Sequence, residues 1–554
     1  MKKIIFLLIL TIPLTLFSQV GYVSVEDEIY NFLDRMNTLR IIENYNSFEI
    51  PKTRKEISDL LIQIIEKQEL LDKIDRDKLN DFIMEFELEI FSKLEKTESL
   101  IPNWNLNYLY SEKEKFLYKY YDSTQTSLFV NFIGKLDYLN KSEDNKNLSS
   151  LIYRFGGEIR VSLFNTLGFS VTSTNGSFLG NKELTQSFSS LKYNYKFNQE
   201  SASQLGDNYF DETVSYGLAD FDFAKIKIGN DRKFIGYGIE KTMIGDNAPR
   251  MEYIELALKY KRINFTFFHS KLLGNKSVIL DSIKGGINVV NDKYLAYHRL
   301  GLGLGQYLQL GLGEMIIYSN RNLDFSYLNP FNFYKSSEHA NQDRDNSMIF
   351  FDAQNNSFEN VKIYATLLLD DIDFGKIGTG WYGNQTMLNL GVFSTHLYNI
   401  LPLDAEIQYI RIDPYVFTHR ISDNNFTSSN FNLGSALQPN SSNLLMSLNY
   451  RLNYRLNLNF TYEYSVHGAN VEYETGKTVN FGGNINLGYR IGDSQNVYFR
   501  KGDKEILRSF KFSTQFEPIK NWIFFLNINY FNNSLAKSQR SQNFFTTLSL
   551  YTKI

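Results

Sequence analysis

Leu444-Leu445-Met446-Ser447-Leu448-Asn449-Tyr450-Arg451-Leu452-Asn453-Tyr454-Arg455-Leu456-Asn457-Leu458-Asn459-Phe460-Thr461-Tyr462-Glu463-Tyr464 is the stretch that decides the fold. Every even position is apolar or aromatic. The odd positions from Ser447 onward are Ser, Asn, Arg, Thr or Glu. A period of two is that of a β-strand with different surroundings on its two faces. The run is too long for one strand, so it predicts a hairpin turning near Asn453.

The pattern recurs on both sides. Trp522, Phe524, Leu526, Ile528 and Tyr530 alternate with polar residues such as Asn527 and Asn529. Phe510, Phe512 and Phe516 do so against Lys511, Ser513, Gln515 and Glu517, and Leu191, Tyr193, Tyr195 and Phe197 against Lys192, Asn194, Lys196 and Asn198. Phe544 to Ile554 reads as a last strand that runs to the final residue. Gly301, Gly303, Gly305, Gly311 and Gly313 alternate with Leu and read as strand positions, not as a phosphate loop.

Such strands fit a soluble antiparallel sheet or a membrane barrel. Three observations favour the barrel. The apolar face is large and aromatic in strand after strand. The opposite face carries Asn, Arg, Lys and Glu, as a wet lumen would. Met1 to Val20 has Lys2 and Lys3, then an apolar run over Ile4–Phe17, then Ser18: the layout of a signal peptide. In hydrocarbon every backbone group needs a partner, so an exported sheet that spans a bilayer closes on itself. At about 25 residues per strand with its loop, some 450 residues make about 16–20 strands, 18 favoured.

Composition agrees. Of 554 residues 15% are aromatic, with 45 Phe and 37 Tyr against 9 Pro, so disorder is not the main state. The absence of Cys excludes disulfides, thiolate metal sites and a cysteine nucleophile. A net charge of −3 offers no basic field for nucleic acid. The mean hydropathy of −0.30 is too polar for a bundle of membrane helices.

Ahead of the strands the period is helical. Ile29, Phe32, Leu33, Met36 and Leu39 lie on one face. Thr53-Arg54-Lys55-Glu56 is a capping box leading into Ile57, Leu60, Leu61, Ile64 and Ile65. Asp77 or a neighbour opens a third helix through Phe82, Phe86 and Ile90. Residues 21–100 carry 19 acidic and 11 basic side chains. Such charge predicts a solvated helix face or a docking surface for a periplasmic partner. The expected layout is a signal peptide over 1–19, a periplasmic helical domain over 20–103 and an outer-membrane β-barrel over 104–554.

No GxSxG, HExxH or phosphate-loop motif is present, and no two His lie at metal spacing, so no catalytic residue, metal or cofactor is expected. Three polar stretches, read as irregular segments between strands, stand out. They are Gly229–Gly238 with Gly245–Arg250, Tyr297–Leu300 through Glu314 and Tyr318 to Phe331, and Glu338-His339 with Asp343–Asn346 and Asp352. Carboxylates, amides and guanidinium groups bond sugar hydroxyls, and aromatic faces cover pyranose rings. The same groups could instead plug the lumen with ion pairs.

In this order the stretches resemble the capsule assembly Wzi family of outer-membrane proteins. The likeness rests on the head helices, Arg232 to Gly238, Asp246-Asn247-Ala248-Pro249, His298-Arg299-Leu300, Glu314, Tyr327-Leu328-Asn329-Pro330, Asp343-x-Asp345-Asn346, Tyr415 with His419, and His467-Gly468. The chain departs from the family's pattern at Phe234 or Ile235, where a Trp is frequent, and at Gly245-Asp246-Asn247-Ala248. The resemblance implies a transmembrane antiparallel β-barrel with a small N-terminal α-helical periplasmic bundle. It implies a non-enzymatic lectin of a Gram-negative outer membrane, with long extracellular loops, that binds exported capsular or exopolysaccharide and helps anchor it. The residues expected to contact glycan or carry the motif are Arg232, Asp246, Asn247, His298, Arg299, Glu314, Tyr327, Asn329, Asp343, Asp345, Asn346 and His419. Expected partners are the polysaccharide, outer-membrane lipid and export machinery at the head. Two other classes fit the same barrel: a porin or transporter for glycans or other solutes, and a lipid hydrolase or deacylase with a nucleophile near one membrane interface.

Overall fold

The computed structural model describes residues 19–102, 104–143, 146–188, 191–192, 209–281, 285–396, 402–474, 476–534 and 540–554. The expected signal peptide and most of the expected strand over Leu191–Phe197 lie outside the described residues.

Period-2 sequence becomes strand nearly throughout the described body; Gly305, expected at a strand position, instead lies in the turn over 305–307 with φ +74°. Eighteen strands close into one antiparallel barrel: β1 (Ser127–Glu143), β2 (Lys146–Leu163), β3 (Leu167–Gly180), β4 (Tyr209–Asp220), β5 (Ala224–Asp231), β6 (Met251–Tyr260), β7 (Ile263–Asp281), β8 (Gly285–Leu304), β9 (Leu308–Ser319), β10 (Asn346–Phe358), β11 (Val361–Asp371), β12 (Gln385–Ser394), β13 (Leu403–Ile412), β14 (Ser441–Asn453), β15 (Leu456–Ala469), β16 (Asp503–Ile519), β17 (Trp522–Ser534) and β18 (Arg540–Lys553). A short strand, Tyr118–Tyr121, pairs beside β1. The last strand pairs with the first, which removes every edge. The hairpin expected at Asn453 joins β14 to β15, with Asn453 opposite Leu456. Among the described residues no helix is long and apolar enough to cross a membrane.

The alternation sorts the two faces. Met446, Leu448, Tyr450, Leu452 and Phe460 point outward and are exposed, forming part of an apolar belt. Their neighbours Ser447, Asn449, Asn457 and Asn459 line a polar cavity of about 600 Å³ inside. The opposite side of the lumen differs from the wet interior expected. There the inward residues are apolar as well: Met315, Ile317, Met348, Phe350, Met387 and Ile410 are all fully buried. They pack on two connections that fold into the barrel, through Ile235, Tyr237 and Met243 of one and Val416, Phe417 and Phe426 of the other.

The helical head closes one end. It holds α1 (Ile29–Thr38), α2 (Arg54–Glu66), α3 (Lys73–Glu85) and α4 (Glu87–Phe91). The Thr53 capping box forms as its sequence predicts. The third helix starts earlier than Asp77, because Asp72 caps it by accepting from the Asp75 N–H, and the run breaks at Phe86 into α4. At this end the strand connections are two or three residues long, apart from the link over 395–402, and both barrel-terminal strands meet there. At the far end lie the long connections. One contains α5 (Lys182–Gln186); another contains α6 (Phe325–Leu328) and α7 (Tyr334–Ala340).

The head's negative charge is largely turned inward, and a solvated acidic face accounts for only part of it. Asp34 pairs with Lys362 at 2.9 Å, Glu49 with Arg299 at 3.2 Å, Glu56 with Lys225 at 2.7 Å and Asp81 with Lys520 at 3.1 Å. Each of these cations belongs to the barrel. The surface on which the acidic head docks is the lumen of its own chain.

Candidate functional site

Two arrangements tie the head and the inward connections to the barrel wall. The first is central. Arg299 on β8 donates to both oxygens of Asp352 on β10, at 2.7 and 2.9 Å, and its guanidinium lies 4.8 Å from the Phe48 ring centre. Tyr237 donates to Asp352 at 2.8 Å, and Tyr297 donates to Glu49 at 2.7 Å. Glu49-Ile50 of the head pairs as a two-residue antiparallel strand with Phe234-Ile235 of the inward connection. Gly238 lets that connection pass: its φ is +91°, and a Cβ there would lie 2.5 Å from the Gln408 amide.

The second arrangement is a latch at the head end. Arg35 of α1 bonds Asp75 of α3 at 3.0 and 3.1 Å and also contacts Asp404 of β13. Arg451 of β14 contacts Asp75 and reaches Asp72 at 3.3 Å, while His396 bonds Asp72 at 3.0 Å. Burial pushes Asp72 upward, but the His396 bond and the two guanidinium groups outweigh it and hold the carboxyl below its usual range. Asp72, Asp75 and His396 could reach one ion, yet Arg35 and Arg451 already fill that space with positive charge.

The twelve expected glycan residues separate into three groups. Arg299 and Asn346 face the lumen, where Asn346 donates to the Asn424 carbonyl at 2.9 Å. Arg232, Asp246 and Asn247 lie on the inward connection. Arg232 bonds Glu26 at 2.7 Å and the Asp246 carbonyl at 2.8 Å, and Asn247 donates to the Asn432 carbonyl. Asp246 itself is exposed.

His298, Glu314, Tyr327, Asn329 and Asp345 form the second group, at the outer wall. Tyr297 to Leu300, Glu314, Tyr318 and Asp352 lie on strands, not in irregular segments as expected. On β8 and β9 the odd positions Tyr297, Met315 and Ile317 face the lumen, so His298 and Glu314 face outward. They pair at 3.2 Å beneath Tyr334, whose ring stacks on His298 at 4.4 Å. Tyr327 donates to Asp345 at 2.7 Å, and Asn329 accepts from the Phe331 N–H.

The third group, Asp343 and His419, stands at the far end. The Asp343 carbonyl accepts from Arg420, and burial holds the His419 imidazole below its usual range. These two adjoin a feature that the sequence reading missed. Tyr382 and Tyr489 stack at 3.7 Å with planes 11° apart, and Tyr415 packs edge-on against both. Lys376 sits 3.9 Å over Trp381, and Arg490 pairs with Asp493 at 3.0 Å. His419 belongs to the same patch, because a Cβ on Gly488 would lie 2.5 Å from its carbonyl oxygen. Trp381, Tyr382 and Tyr489 are half-buried, and Arg490 is exposed. The one available signal was Gly378-Thr379-Gly380-Trp381-Tyr382-Gly383, which places one of three Trp in a glycine-rich turn.

The chain is similar in fold to Wzi of Escherichia coli. That outer-membrane protein, involved in group 1 capsule assembly, is a carbohydrate-binding β-barrel. The superposition has a TM-score of 0.55 at 11% identity and covers 96% of this chain and 99% of that one. At this identity the likeness is one of fold. OccK8 (OprE) of Pseudomonas aeruginosa and OccAB2 of Acinetobacter baumannii each match at a TM-score of 0.45 and 11% identity, over 77% of this chain and 98% of theirs. No family model and no curated protein sequence matches the chain.

Proposed function

We propose that this protein is a non-enzymatic outer-membrane lectin that binds an exported capsular or exopolysaccharide and helps anchor it at the cell surface. The observation that carries the reading is the half-occupied lumen: two inward connections pack one side of the barrel, and the head is latched across one end. Packing of this kind counts against free diffusion through an open pore, whose lumen is filled with water. The open end offers what a sugar needs instead, stacked Tyr382 and Tyr489 beside Trp381, Arg490, His419 and Asp343. The carbohydrate binding of the similarly folded Wzi barrel agrees with it. In this reading the short-turn end with its helical head is periplasmic and the long connections are extracellular, the usual arrangement of such barrels. An export-machinery partner would meet the side of the head that carries exposed Leu70 and Phe91.

A glycan array and polysaccharide pull-down on the purified barrel test this. Binding with a bilayer conductance near background is the expected result. Conductance without glycan binding would replace it with the pore reading, which the amide-lined cavity beside Asn449, Asn457, Asn459 and Asn527 favours. A lipid hydrolase gains no support from the His298–Glu314 pair. Among the described residues no Ser or Thr hydroxyl bonds either imidazole nitrogen of His298.

A further inference from the structure

The connection over 320–345, between β9 and β10, neither enters the lumen nor stands free above the barrel. It folds back over the outer wall. Ala296, Ile316 and Tyr318, all on outward positions, are fully buried beneath Tyr327 and Tyr334 of this helical hairpin. Immediately toward the head end, the same outward rows of β8, β9 and β10 are exposed at Leu300, Leu302, Leu310, Leu312 and Phe351. The hairpin therefore covers the top of the apolar belt.

Its polarity is inverted relative to a surface element in water. Its charged groups from Arg321 to Glu338, with Asp345, are turned inward and paired. Arg321 clamps Asp345 at 2.6 and 2.7 Å, Glu314 accepts from the Tyr334 N–H at 2.9 Å, and Glu338 bonds Ser347. The face turned away from the barrel carries Leu323, Phe325, Phe331 and Phe333. Phe325 is 86% exposed and Phe331 71%. Phe331 stacks at 5.3 Å on Phe265 of β7, which joins this face to the belt. The exposed charged residues and several exposed polar ones collect at the other end of the hairpin, over Ser336, His339 and Gln342 to Arg344, while Asn322 and Asn329 are exposed polar side chains at the aromatic end.

We propose that the 320–345 hairpin is a membrane-seated element. Its Leu323–Phe333 end is embedded among the acyl chains of the outer leaflet, and its Ser336–Arg344 end lies at the headgroups. The occupant of the aromatic face is lipid, because that face continues the belt the barrel presents to hydrocarbon. A polar-inside, apolar-outside hairpin is stable there and costly in water. Glu314, Tyr327 and Asp345 then hold this element to the wall.

The chain has no Cys, so Phe325→Cys and His339→Cys each provide a single labelling site. Each is labelled with an environment-sensitive fluorophore and reconstituted into phospholipid vesicles with or without brominated acyl chains. The expected result is blue-shifted emission at position 325 and quenching by bromine several-fold stronger than at position 339. Equal, weak quenching at both positions would overturn the proposal in favour of a water-exposed hairpin. Emission at 325 that depends on protein density but not on bromine would overturn it in favour of contact between copies. Phe331→Cys repeats the measurement if the label at 325 prevents folding.

Discussion

Arg299 and Asp352 face each other across the lumen wall on β8 and β10 and share two parallel hydrogen bonds of 2.7 and 2.9 Å. Each has a further partner, Glu49 for the arginine and Tyr237 for the aspartate, so this one pair ties strand wall, inward connection and head together. Asp352→Ala leaves a buried guanidinium with Glu49 as its one remaining carboxylate partner, a loss of about 3 kcal/mol. Denaturant unfolding of the reconstituted barrel should show that loss, and single-channel recording should show new open events. Replacing both residues with apolar ones of similar volume should restore most of the stability.

The latch makes a separate prediction. Asp75 is shared by Arg35 of the head and Arg451 of the barrel, so Asp75→Ala takes a partner from two guanidinium groups at once, leaving Asp404 to the first and Asp72 to the second. Trypsin should then cleave the head about ten-fold faster, while Glu69→Ala, at an exposed position, should leave the rate unchanged. Equal rates in the two variants would mean that Phe48 and the ion pairs of Asp34, Glu49, Glu56 and Asp81 retain the head without the latch.

Acid should loosen the same contact. Burial raises Asp81, as it does Asp72, but Lys520 and Lys78 outweigh it, so both carboxyls are held below their usual range. A depressed folded pKa stabilises fully above the unfolded value of about 3.9, and the contribution is lost as pH falls through the folded value. Head protection against an acid-active protease should therefore be flat from pH 8 to about 5. It should decline below about pH 4, and by less in Lys520→Ala, where Asp81 has lost the cation that holds its carboxyl down.

At the far end, Tyr489→Ala removes one ring of the 3.7 Å stack. A loss of about 1.4 kcal/mol, within reach of an aromatic contact with its buried area, weakens polysaccharide binding about ten-fold. Arg490→Ala should act in the same direction. Isothermal titration with the purified polymer checks both. Unchanged affinity in both variants would remove this patch from the site.

What the sequence disclosed follows from where contrast existed. Leu444 to Tyr464 alternates because one face meets lipid and the other a polar cavity, and that hairpin forms where its pattern places it. Around Met315, Ile317, Met348 and Phe350 both faces are apolar, so no alternation betrays the packed half of the lumen. His298 and Arg299 were grouped as one motif, yet a period of two sends neighbours to opposite faces, one to the outer wall and one to the lumen. The 320–345 hairpin was illegible for a related reason. Its polar residues look like a binding loop until their partners on the wall are seen. The head's acidity was plain in composition, but cations scattered between Lys225 and Lys520 cannot be recognised as its counterpart without the fold.

The seam between β1 and β18 also sets a condition on assembly. Ile554 donates its N–H to the Phe132 carbonyl at 2.8 Å, and β18 pairs with β1 along its length, so the ring closes through this one seam. The head touches barrel segments from β5, through Lys225, to β16, through Gln515, inside that ring. The fourteen residues of β18 therefore decide whether the head is enclosed or left against an open sheet.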